Sequence, residues 1–127
     1  MMDDCFSSGG DGSSRPALDH DALARVLGLG DAALRDALCS QLAADFRRLR
    51  TALDAEEAHL VARTAHEIKG LAATIGANPL ADIAASVDKV VASVAPEARL
   101  ALVRPLKAEI DAVLSALALE HSGSARQ

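Results

Sequence analysis

From Leu34 to Leu117 the apolar residues recur at three- and four-residue steps, the spacing that lays a stripe along an α-helix. That rhythm commits the chain to helices that bury their stripes against one another. Composition agrees, because half of the residues are apolar while only 2% are aromatic and neither Trp nor Tyr occurs. A chain dominated by Ala and Leu favours helix over a β-branched, aromatic-rich sheet. At 127 residues it has the size of one domain with a modest core.

The punctuation between stripes divides the chain. Residues 1–17, rich in Ser and Gly, hold too few apolar groups to offset the entropy of ordering and are expected to form a flexible tail. Asp19 suits the cap of a short helix bearing Leu23, Val26 and Leu27, ended by Gly28 and Gly30 and placed as a lid on one end of a bundle. Asp31 suits the cap of a first long helix to about Leu53, with Leu34, Leu38, Leu42, Phe46, Leu49 and Leu53 in its stripe. Asp54 and Glu57 resemble a capping box opening a second helix to about Gly76, with Leu60, Thr64, Ile68, Leu71 and Ile75 on one side.

Asn78 and Pro79 suit the cap and first turn of a third helix bearing Leu80, Ile83, Val87, Val90 and Val94. Pro96 opens the last helix, which Pro105 is expected to kink or restart and which should fray from about Ser122. Short connections place consecutive helices side by side. The expectation is an all-α, antiparallel up-and-down four-helix bundle with a short extra N-terminal helix, spanning residues 18–120 between flexible tails at 1–17 and 121–127.

Several function classes are disfavoured. A net charge of -5 and the lack of a basic run interleaved with aromatics argue against nucleic acid as a ligand. No apolar run approaches the ~18 residues of a membrane span, and the start is acidic, so no membrane association and a cytoplasmic location are expected. Cys5 and Cys39 have neither metal-motif spacing nor the density of a disulfide scaffold. There is no Walker-type loop, kinase signature or carboxylate cluster suited to a metal, so neither ATP-dependent kinase activity nor a bound metal is expected.

The residues that carry chemistry lie in the second helix. With Leu60 at zero on a wheel of about 100° per residue, the apolar stripe centres near about 40° and His66 falls near about 240°, facing solvent. An unperturbed imidazole, with a pKa of about 6.5, is mostly neutral and nucleophilic near neutral pH. Lys69 and Gly70 lie on the turn after His66, and Ala62 and Arg63 on the turn before. Lys69 is placed to stabilise a phosphoryl group on His66, while Gly70, Ala62 and Ala73 leave room for another protein. His59, about 10 Å along the axis from His66, is too far to share an ion with it; His20 and His121 also read as solvent residues.

His66, Ile68, Lys69, Gly70, Ala72 and Gly76 together resemble, without a gap, the pattern of the histidine phosphotransfer (HPt) family of two-component phosphorelays. The resemblance covers residues 20–118, with Leu80, Ile83 and Val87 suiting the family's apolar positions, and departs from it at Asp88, where many members have glutamate. It implies a monomeric phosphocarrier rather than an autonomous enzyme. His66 would accept a phosphoryl group from a receiver-domain aspartate and pass it to another receiver, with Gly70 giving access and Ala62, Arg63, Ala73 and Gly76 at the partner surface. The implied partners are response-regulator receivers and a hybrid histidine kinase. The receiver would supply Mg²⁺, and the chain itself would hold no cofactor.

Two alternatives remain at the level of sequence. His66-Glu67-Ile68-Lys69 also resembles the start of a histidine-kinase dimerisation segment, where Gly70 and Leu71 replace the expected Thr or Asn and Pro. A phosphorylation-independent helical adaptor would use the small residues around Gly70 only to dock a helix.

Overall fold

The computed structural model describes residues 17, 18, 25 and 32–126, with side chains up to residue 119. Residues 1–16 and nearly all of the expected short N-terminal helix lie outside the described residues, as do the side chains of His20 and His121. The elements are α1 (Ala32–Ala52), α2 (Ala58–Thr74), α3 (Asn78–Val90), a 3₁₀ turn (Val91–Ser93) and α4 (Pro96–Arg126). Among the described residues there is no strand, and the fold is an all-α helical bundle.

The core is built from one face of each helix. Phe46, Leu49 and Leu53 at the end of α1 meet Val61, Ala65, Ile68 and Ala72 of α2, Leu80, Ala84 and Val87 of α3, and Val103, Leu106, Ile110, Val113 and Leu117 of α4. Thr64 is the polar member of this buried set, and its hydroxyl donates to the Leu60 carbonyl at 2.9 Å, so that hydroxyl is satisfied. Cys39 is buried and is not in a disulfide.

The two stripes with the largest leucines are narrower than the sequence suggests. On α1, Leu34 is exposed and Leu38 and Leu42 only half-buried. On α2, Leu60 and Leu71 are half-buried, whereas Val61, Ala65 and Ala72 are fully enclosed. The buried side of α2 is therefore turned by about 50° from the expected one, toward its alanines. Alanine lets a neighbouring helix approach closely, and α2 packs more extensively against α3 than against any other element.

Two helix starts also differ. The N-cap of α2 is Glu57, in extended conformation and with no side-chain capping bond, and not Asp54. Asp54 instead lies in the turn after α1 and pairs across the bundle with Lys107. The N-cap of α3 is Ala77 rather than Asn78, with Pro79 in the first turn, where a missing N–H leaves nothing unsatisfied.

Helix α2 ends on Gly76. Its φ of 78° is in the left-handed region, and the Ala77 N–H donates to the Ala72 carbonyl at 2.8 Å while the Gly76 N–H donates to Ala73 at 3.4 Å. This pair of bonds is a Schellman ending, which reverses the chain in two residues. Helix α4, by contrast, runs unbroken through Pro105 and past Ser122. The donor that Pro105 lacks would have served the Ala101 carbonyl; both residues are on the exposed side, where solvent can reach.

Side-chain bonds tie the far ends of the chain together. Arg50 at the end of α1 donates through Nε and Nη2 to the two carboxylate oxygens of Asp111, at 2.8 and 3.0 Å. That bond holds the guanidinium above its already high ordinary pKa. Arg99 donates to the Glu56 carbonyl at 2.7 Å, fixing the connection between α1 and α2 against the start of α4.

Candidate functional site

With its buried face turned toward Val61, Ala65, Ile68 and Ala72, α2 presents the opposite side to solvent, and His66 is on it, 67% of its side chain exposed. Arg63, Glu67, Gly70 and Ala73 are exposed on the same helix. Lys69 and Ala62 are half-buried, the Ala62 methyl packed against the core. His66, Arg63, Lys69, Gly70, Ala62 and Ala73 thus share one stretch of surface, as their spacing predicts.

Gly76 does not join them. It is buried and occupied with ending α2, so its contribution is to place α3 rather than to meet a partner. His59 is exposed two turns away, its ring 3.9 Å from Glu57, and has no part in the site. Among the described residues no group of His, Cys, Asp or Glu could hold a metal ion, and no helix is long and apolar enough to cross a membrane.

The sequence reading missed one member. Asp88 on α3 lies with its Oδ2 3.0 Å from His66 Nδ1, and only 26% of its side chain is exposed. It is the departure noted above, a position 22 residues from the histidine in sequence. The reversal at Gly76 returns α3 antiparallel along α2, and that return brings the two together. An ionised carboxylate can only accept a hydrogen bond, so Nδ1 carries the proton. The imidazole is thereby held as one tautomer, with the lone pair on Nε2, the nitrogen away from Asp88.

Lys69 has no ion-pair partner among the described residues, so its ammonium is available to an anion arriving at His66. Gly70 is unusual in another way. Among the described residues a Cβ built there would meet nothing within 4 Å, so no packing among them demands glycine. A mid-helix glycine costs about 1 kcal/mol against alanine, and here that cost has no internal return.

The arrangement is an exposed nucleophilic nitrogen of fixed tautomer, an unpaired cation one turn on, and a bare helical surface beside both. It can form a bond to an electrophile presented by a macromolecule, and it lacks the enclosure needed to bind a small substrate alone. Residues 33–118 match the family described as Hpt domain. Searches of curated proteins and of solved structures returned no match.

Proposed function

The chain belongs to the Hpt domain family, whose members carry out histidine phosphotransfer in two-component phosphorelays, and from that membership we propose that His66 Nε2 accepts a phosphoryl group from the aspartyl phosphate of one receiver domain and returns it to the aspartate of another. The observation that carries this reading is the bond between His66 Nδ1 and Asp88 on an otherwise exposed ring. A solvated surface histidine has no need of an orienting carboxylate, whereas a nucleophile must keep one nitrogen unprotonated.

The roles divide by position. Lys69 offsets negative charge on the phosphoryl group, and Gly70 with Ala73 and Ala62 lets the receiver surface reach the ring, with Arg63 at the edge of the contact. The receiver contributes the acidic pocket and its Mg²⁺, so this chain needs no cofactor of its own. The protein acts as a monomeric carrier between a hybrid histidine kinase and response regulators in the cytoplasm, without autonomous kinase activity.

The test is transfer from a panel of phosphorylated receiver domains to the wild-type protein and to His66→Gln. The expected label is acid-labile, base-stable and absent from the variant, whose helical circular dichroism should match the wild type. Receiver binding that persists while no receiver ever labels His66 would replace the relay with a phosphorylation-independent adaptor.

A further inference from the structure

Among the first six residues Met1, Met2, Cys5 and Phe6 are apolar, and the other two are Asp3 and Asp4. Residues 1–17 are poor in apolar groups as a whole, yet nearly all of those groups are gathered here, ahead of a stretch, 7–14, built almost wholly of Ser and Gly. A short apolar and acidic sequence at the end of a Ser- and Gly-rich tether has the pattern of a tethered ligand. The surface that suits it is an apolar hollow with a cation at its edge.

The bundle has such a hollow. It lies between α1 and α4, encloses about 290 Å³, and is walled by Cys39 and Ala43 of α1 and by Leu114, Leu117 and Ala118 of α4. Arg47 is the one charged residue that lines it. Arg47 is exposed and makes no ion pair among the described residues.

Three other hollows carry acids. Asp54, Glu56 and Glu97 line the one at the start of α4, Asp54 and Asp111 the one beside it, where they pair with Lys107 and Arg50, and Asp82 the one between α3 and α4. Like charges disfavour an acidic segment at those places, and the unpaired cation favours it at Arg47.

We propose that residues 1–6 occupy the hollow between α1 and α4, with Asp3 and Asp4 facing Arg47 and with Phe6 and the methionines filling the apolar part. Methionine adapts to an irregular cavity, and Phe6 contributes a large apolar area. Reach permits the docking. The chain rejoins the described structure at Ala17 and at Leu18, which is buried in the core. Residues 7–16 can span up to about 35 Å, against about 32 Å for the whole of the 21-residue α1.

A tether of this kind supplies a local concentration on the order of millimolar, so contacts too weak to hold a separate peptide suffice. No residue of α2 or α3 lines the hollow, so the docked segment leaves the His66 surface uncovered. The proposal is therefore independent of the phosphocarrier reading.

The test uses the full chain, ¹⁵N-labelled, with Cys39→Ala so that Cys5 is the single thiol and carries a nitroxide. The amide signals of Ser40, Ala43, Leu117 and Ala118 are expected to broaden and to recover when the nitroxide is reduced. Asp3→Lys with Asp4→Lys should lose the broadening, as should Arg47→Glu, and the three changes together should restore part of it. A second readout needs neither the nitroxide nor a change at Cys39: Phe6→Ser should shift the same amide signals relative to the wild type.

Broadening that is absent, even over the bundle or centred on α2 and α3 would overturn the proposal, and so would unshifted signals in Phe6→Ser. Mixing nitroxide-bearing protein without ¹⁵N into ¹⁵N-labelled protein separates one further case. Broadening that arises in that mixture and fades on dilution would make a second copy the occupant and overturn docking within one chain.

Discussion

Gly70 illustrates how one residue separates stability from function. Its neighbourhood offers a Cβ open space, and its backbone is helical, so Gly70→Ala is expected to raise stability by about 0.5–1 kcal/mol. The same methyl stands beside the imidazole, so receiver docking and transfer should weaken. A denaturant melt and a transfer time course on one preparation check both signs, and a variant that is more stable and equally active would remove Gly70 from the docking surface. His66, Lys69 and Gly70 were legible in the sequence because their relation is local, set by one-turn spacing on a single helix. Asp88 was not, because its relation to His66 depends on the register of two helices across a turn. The clue was available in the turn itself: counting outward from Gly76 along both helices brings positions 66 and 88 near the same level.

Among the elements, α2 shows where periodicity misleads. Leu60 and Leu71 drew the expected stripe toward themselves, yet enclosure went to Ala65 and Ala72, whose small side chains admit α3. Hydrophobicity alone underrates alanine in such a seam, since what it contributes there is close approach. The outward direction of His66 survived the error because a shift of about 50° still leaves it on the far side of the helix. Capping signals misled similarly: Asp54 carries the residue type of a cap but is drawn to Lys107, a partner that no local pattern reveals. Gly76 was read correctly as an ending, and its positive φ makes a sharper claim possible. Gly76→Ala should cost about 1–2 kcal/mol, since the left-handed conformation is strained for any residue with a Cβ. Thermal unfolding measures this, and an unchanged melting temperature would mean that the reversal tolerates another backbone path.

For the whole molecule, the ledger of contacts predicts that cohesion comes from the core and not from the charged ties at its rim. Ile110 on α4 is fully enclosed, and Ile110→Ala should destabilise the fold by about 2–5 kcal/mol. The pair of Arg50 and Asp111, though well aligned, is exposed to water, so Arg50→Ala should cost far less than Ile110→Ala. Urea titration of the two variants tests the ordering, and a larger loss from the arginine would show that the rim carries the bundle. The bundle as a class was readable from stripes and breaks; its far-end couplings were not, because residues 61 positions apart leave no shared local signal.

That contrast in sequence distance has a kinetic meaning. His66 and Asp88 sit in one helical hairpin closed by a two-residue reversal, whereas joining α1 to α4 requires a loop several times longer. Closing a short loop costs less entropy, so the hairpin that joins the nucleophile to its carboxylate is expected to form before the outer helices dock. The chemistry rests first on the pairing of α2 with α3, the most extensive between elements. A partner that pulls on α4 acts on a helix packed against α3, and so on the support of the carboxylate itself.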